Sequence, residues 1–97
     1  MAPEVIVGKN YSEKADVYSF GIILWEFASR EPPYKKITPA KVSMEVVKND
    51  LRPKPPKNTP ESLIWLMKRC WNWDPLKRPT FKEIIYELER MKTMNFD

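Results

Sequence analysis

The sequence predicts an all-α fold: four helices and one short helical turn, joined by proline-rich loops around one central hydrophobic helix. Three observations carry this. Apolar residues recur at intervals of three and four in several stretches, the period of a helix with a buried face. Proline outnumbers glycine ten to two, which suits helices with abrupt ends and not tight hairpins. Nowhere do apolar and polar residues alternate long enough to make a half-buried strand.

The chain opens with MAPEVIV, residues 1–7. Pro3 suits a first helical position and Glu4 suits a helix N-terminus, so one short turn is expected, then a loop through Gly8-Lys9-Asn10. Ser12 to Arg30, SEKADVYSFGIILWEFASR, reads as one helix of roughly 27 Å at 1.5 Å per residue. Ser12 is its N-cap, and Glu13 and Asp16 put negative charge in the first turn, where the helix dipole favours it. Arg30 stands at the opposite end, where a cation is favoured. Val17, Phe20, Leu24, Phe27 and Ala28 form one apolar face; Tyr18, Ile22 and Trp25 form a second. Ser19, Glu26 and Arg30 leave a narrow polar strip that Ile23 interrupts. A helix apolar nearly all round lies inside a larger body or in lipid. Lipid is not expected, because the longest apolar run, Ile22 to Trp25, is far short of the about 20 residues a span needs. This helix therefore requires protein on most sides. It should end before Glu31-Pro32-Pro33-Tyr34, since a residue preceding proline avoids helical geometry.

Thr38-Pro39 starts the next helix, with a capping hydroxyl and proline at the first helical position. Val42, Val46 and Val47 give it a weak apolar face up to about Asn49. Residues 51–58, LRPKPPKN, form a stiff, extended connector. Pro53 and Pro56 meet the minimal spacing of an SH3 ligand, a pattern common in ordinary loops. Thr59-Pro60-Glu61 repeats the start signal, and Leu63, Ile64, Leu66, Met67, Cys70 and Trp71 follow at helical spacing. Trp73-Asp74-Pro75 is a turn. Thr80-Phe81-Lys82-Glu83 is a capping box, in which threonine and glutamate each satisfy the other's backbone N–H. Phe81, Ile84, Ile85, Leu88 and Met91 then mark one face of a last helix, expected to fray after about Met91.

Composition narrows the function. Ninety-seven residues suit one small domain. The net charge of +4 is mild and its Lys and Arg are scattered, so no nucleic-acid partner is expected. The four tryptophans lie in or beside apolar helical patterns and are expected in the core, not as a base-stacking platform. One cysteine excludes an internal disulfide and a cysteine-rich metal site; Cys70 is expected to be a buried structural thiol. With no histidine, neither a Ser-His-Asp triad nor a His-ligated metal can come from this chain. No apolar leader follows Met1, which makes a cytoplasmic location the expectation, with no membrane partner.

Three blocks in order resemble a known family. Met1-Ala2-Pro3-Glu4 resembles the Ala-Pro-Glu motif that closes the activation segment of a eukaryotic protein kinase. Asp16-Val17-Tyr18-Ser19-Phe20-Gly21, running on to Leu24-Trp25-Glu26, resembles the opening of that family's central helix. Cys70-Trp71, Asp74-Pro75 and Arg78-Pro79-Thr80-Phe81 resemble its closing signature. The resemblance covers essentially the whole chain, and the wording is most similar to the tyrosine-kinase-like group, whose members mostly phosphorylate Ser and Thr. It implies that residues 1–97 are a partial kinase domain, the lower part of a C-lobe. The glycine-rich loop, the His-Arg-Asp loop and the Asp-Phe-Gly motif that a kinase needs are not in this sequence. The chain alone is therefore expected to bind no ATP or Mg²⁺ and to transfer no phosphate; both belong to the intact parent.

The resemblance also implies roles for single residues. Glu4 and Arg78 would form a buried ion pair tying the activation segment to the loop before the last helix. Asp16 would hold the catalytic loop in the parent, or, with that loop absent, serve as a helix-start carboxylate. Glu26 would receive a basic residue of the substrate peptide, or pair with a nearby Lys or Arg. No residue is expected to be catalytic. The region from Thr38 to Asn49 resembles a docking site for substrates or regulators. A non-catalytic helical interaction module is the alternative. In either case the central helix is expected to leave an apolar patch that drives self-association with another copy unless the remainder of the kinase domain covers it.

Overall fold

Helix boundaries fall where side chains complete or stop the backbone hydrogen bonding. The computed structural model describes residues 1–9 and 11–93. It places α1 at Pro3–Ile6, α2 at Glu13–Ser29, α3 at Pro39–Asn49, α4 at Glu61–Cys70 and α5 at Phe81–Thr93, with a 3₁₀ turn at Pro75–Lys77. No strand occurs among the described residues. Asn10, the last residue of the loop expected after α1, lies outside the described residues, as do residues 94–97 beyond α5.

The start signals operate as chemistry. Ser12 Oγ accepts from Lys14 N at 3.2 Å, and Thr38 Oγ1 accepts from Lys41 N at 3.3 Å. The capping box of α5 is reciprocal: Glu83 N donates to Thr80 Oγ1 at 3.1 Å and Thr80 N donates to Glu83 Oε1 at 2.9 Å. Thr59 departs from expectation. Pro60 occupies the N-cap of α4 without a side-chain cap, and the Thr59 hydroxyl donates to the Pro56 carbonyl, bracing the connector instead. Two helices stop in the left-handed region, at Arg30 (φ 58°) and Asp50 (φ 54°), whose N–H groups return to Glu26 and Glu45 carbonyls. Neither is glycine, so each carries a cost of about 1 kcal/mol.

Two buried clusters flank α2. Ala15, Tyr18 and Trp25 pack with Ala2, Met67 and Trp71; Val17 packs with Leu66, Cys70, Ile84 and Met91. Between α2 and α4 the backbones come close at Gly21, where a Cβ would stand 2.8 Å from Cys70 Cβ and 3.3 Å from the Met67 carbonyl oxygen. Only glycine fits there. The proline connector is pinned to this core, since Trp25 Nε1 donates to the Lys54 carbonyl at 2.7 Å and Arg52 Nε to the Trp71 carbonyl at 2.8 Å. Pro53 is buried by that arrangement, so the Pro53–Pro56 pair does not present an SH3 ligand.

The molecule measures 39 × 29 × 16 Å, about two helix layers thick. Two layers cover one side of α2 and leave the other open. Phe27, expected in an apolar face, is 80% exposed, and Ile23 is 57% exposed. Ile85 of the α5 stripe and the side chains of Trp65 and Trp73 are likewise exposed, correcting their expected burial. Helical spacing identifies a face; it does not identify whether a neighbour exists to cover it.

Candidate functional site

The chemistry of this chain gathers at one node, where α1, the first turn of α2 and the loop before α5 meet. Pro3 starts α1 and places Glu4 in its first turn. Two successive side-chain turns shape the opposite loop: Asp74 N donates to Asn72 Oδ1 at 2.8 Å, and Leu76 N to Asp74 Oδ1 at 3.0 Å. Arg78 follows the 3₁₀ turn and points back under the loop, 2% exposed.

A guanidinium has five N–H donors and no acceptor, so a buried arginine needs five oxygen partners. Arg78 has them. Nε donates to the Asn72 carbonyl at 2.7 Å; Nη1 donates to Glu4 Oε2 at 2.7 Å and to the Lys14 carbonyl at 2.9 Å. Nη2 donates to Glu4 Oε1 at 2.9 Å and to the Trp73 carbonyl at 3.4 Å. The two Glu4 contacts make a bidentate fork, the strong form of this pair. Burial pushes the Glu4 carboxyl up, but the Arg78 hydrogen bonds and charge outweigh it and hold Glu4 below its ordinary range. The Tyr18 ring lies against this centre, 5.1 Å from the Arg78 guanidinium and 5.0 Å from that of Arg52.

The other residues singled out from the sequence stand apart. Asp16 is exposed in the first turn of α2 and accepts a hydrogen bond from the Tyr11 hydroxyl, which raises that hydroxyl's pKa. Glu26 is exposed, and among the described residues no Lys or Arg pairs with it. No hydrogen bond or ion pair joins either carboxylate to the node among the described residues. Near α3, Ile6, Tyr18, Ile22, Tyr34, Val42 and Val46 line a cleft of about 180 Å³. The Tyr34 hydroxyl is buried there without a hydrogen-bond partner, its residue in the left-handed region (φ 55°). Sequence reasoning passed over Lys14, Asn72 and Arg52 and read Tyr18 only as part of an apolar face, because a carbonyl acceptor or a stacked ring leaves no mark in residue type.

This arrangement ties α1, α2 and the loop before α5 together. Burial pushes the Cys70 thiol up to about 12, so it stays protonated and inert near neutral pH. No group of three or more His, Cys, Asp or Glu that could hold a metal occurs among the described residues. No described helix is long and apolar enough to cross a membrane.

Comparison with known families matches residues 1–88 to the model described as protein tyrosine and serine/threonine kinase. The chain belongs to this kinase family. It is 47% identical over 96 residues to a probable serine/threonine-protein kinase, drkB, of Dictyostelium discoideum, covering 99% of this chain and 14% of the relative. It is 47% identical over 91 residues to serine/threonine-protein kinase STY17 of Arabidopsis thaliana, covering 94% of this chain and 16% of the relative. It is 51% identical over 86 residues to mitogen-activated protein kinase kinase kinase 7 of Homo sapiens, covering 88% of this chain and 14% of the relative. The chain thus spans about one sixth or less of the curated relatives it matches. These findings and the all-helical fold agree with the resemblance to a C-lobe fragment of a serine/threonine kinase. The phosphate-cradling and metal-holding motifs of the family are absent from the sequence, and among the described residues no cluster of three or more His, Cys, Asp or Glu stands in their place.

Proposed function

We propose that this chain is the lower part of the C-lobe of a protein kinase that transfers the γ-phosphate of MgATP to Ser or Thr of proteins, and that it supplies scaffold and not chemistry. The observation that carries this is the bidentate Glu4–Arg78 pair. It joins the Ala-Pro-Glu motif, which in a kinase ends the substrate platform, to the loop before the last helix. In the intact parent Asp16 anchors the catalytic loop and Glu26 receives a basic residue of the substrate peptide. Their exposure supports both roles, since each carboxylate is open to a group outside this chain. The cleft between α1, residues 33–34 and α3 supports docking of protein substrates or regulators at residues 38–49. A cytoplasmic location is part of the same proposal.

The test is to join the chain to the coding sequence that precedes it and assay phosphate transfer from MgATP to protein Ser and Thr. The extended protein is expected to be active, and the 97-residue chain inert. A preceding sequence without His-Arg-Asp and Asp-Phe-Gly would overturn the kinase reading. It would favour the second reading, a non-catalytic helical interaction module that associates with its own copies. The exposed Ile23 and Phe27 support that second reading.

A further inference from the structure

Lys14 stands in the first turn of α2, where the helix dipole disfavours a cation. What offsets that is specific. Its ammonium donates to the Arg78 carbonyl at 2.7 Å and to the Pro75 carbonyl at 3.4 Å. Its own carbonyl accepts from Arg78 Nη1 at 2.9 Å. The two cations therefore exchange hydrogen bonds through each other's backbones, and α2 is clasped to the loop at two points. Within itself the loop is held by the Asn72 and Asp74 side-chain turns and by the Lys77 and Arg78 N–H groups, which donate to the Asp74 and Pro75 carbonyls. Pro75 and Pro79 lack N–H groups, and among the described residues Lys14 is the one donor that reaches the Arg78 carbonyl.

We propose that Lys14 is a positioning residue, which fixes the backbone of Arg78 against α2 so that its guanidinium meets both oxygens of Glu4. Two charged groups face it from the neighbouring elements: Arg78 of the loop, whose carbonyl it bonds, and Glu83 of α5, whose carboxylate feels its charge. Glu83 is held by its own helix cap, so the two carbonyls remain the acceptors for the ammonium. This role belongs to the chain's own node and holds whether or not the parent is an active kinase.

Nitrogen-15 NMR of the full chain tests it. A slowly exchanging Lys14 ammonium, correlated through the hydrogen bond to the Arg78 carbonyl, is expected. The Trp25 indole N–H, bonded to the Lys54 carbonyl, reports in the same spectrum that the chain is folded. An ammonium exchanging like a free lysine while that indole is protected would overturn the proposal. Lys14→Met keeps the aliphatic stem and removes the donor. In it the Glu4 carboxyl should titrate closer to an ordinary glutamate, its proton affinity rising about threefold or more, and Lys14→Arg should restore it. An unchanged Glu4 midpoint in folded Lys14→Met also overturns the proposal. Should that variant not fold, the ammonium signal of the unaltered chain decides.

Discussion

Around the first turn of α2, each N–H of the Arg78 guanidinium has an oxygen partner, and Lys14 closes the loop behind it. Farther along the same helix, on its outward face, Ile23 and Phe27 stand largely in solvent. One region is finished by residues within this chain. The other has the composition of a core and lacks the second wall. The difference follows from the range of the forces. A buried charge demands partners at hydrogen-bond distance, so whatever contains Arg78 must also contain its acceptors. Apolar surface only needs some cover, and that cover can come from another chain or another part of a longer one.

The sharpest way to break this contrast is to open the finished region. Arg78→Ala leaves the Glu4 carboxylate in a mostly buried site without its partner and should cost about 3–5 kcal/mol in denaturant melts. A loss under about 1 kcal/mol would mean that water replaces the guanidinium freely, and the node would be no more closed than the outward face. Next comes Gly21→Ala, on the covered side of α2. The added methyl meets Cys70 Cβ and the Met67 carbonyl of α4, and should cost about 1–3 kcal/mol by overpacking. A neutral result would show that α4 can shift away and that even the covered side is loosely held.

Acid probes the node more gently. Glu4 has a folded pKa below its ordinary value of 4.5, so its contribution is complete above that value and is lost as pH falls through the lowered one. Thermal midpoints should therefore be level near neutrality and fall below about pH 4.5, with a shallower fall in Glu4→Gln. Glu83 is lowered chiefly by its backbone and hydroxyl bonds to Thr80 and contributes to the same slope, so Glu83→Gln serves as the control. The smallest stability effect is expected on the open face. Phe27→Ser should change stability by no more than about 0.5 kcal/mol, because the ring is already in water. The same substitution should lower any self-association measured by sedimentation. A large loss of stability would mean that the phenylalanine has a cover within this chain.

Much of this was legible in residue order. Thr80 and Glu83 announce a capping box at a fixed spacing, and the structure forms it. Ser12, Thr38 with Pro39, and the prolines after Arg30 mark helix ends through short-range rules that act wherever the sequence occurs. Thr59 shows the limit of such rules. The same Thr-Pro pair that starts α3 fails to cap α4, because there Pro60 takes the N-cap position and Thr59 falls one residue outside it, its hydroxyl donating to the Pro56 carbonyl. Glu4 and Arg78 illustrate a second limit. They are 74 positions apart, and only their motifs suggested a link; periodicity was silent.

The sequence by itself determined which stretches become helices, where most of them start and stop, and that the helix at residues 13–29 is too apolar for a surface. Those outcomes depend on propensity, capping and the 3.6-residue period, all local. Tertiary structure alone decided which apolar faces are covered: Val17 and Tyr18 are buried, Ile23 and Phe27 are not, though all belong to one greasy helix. It also decided that Lys14 and Arg78 share a clasp and that glycine is required where α2 meets α4. The physical reason is that burial and carbonyl partners belong to neighbours brought together by the whole fold, and no residue carries its neighbours in its own name.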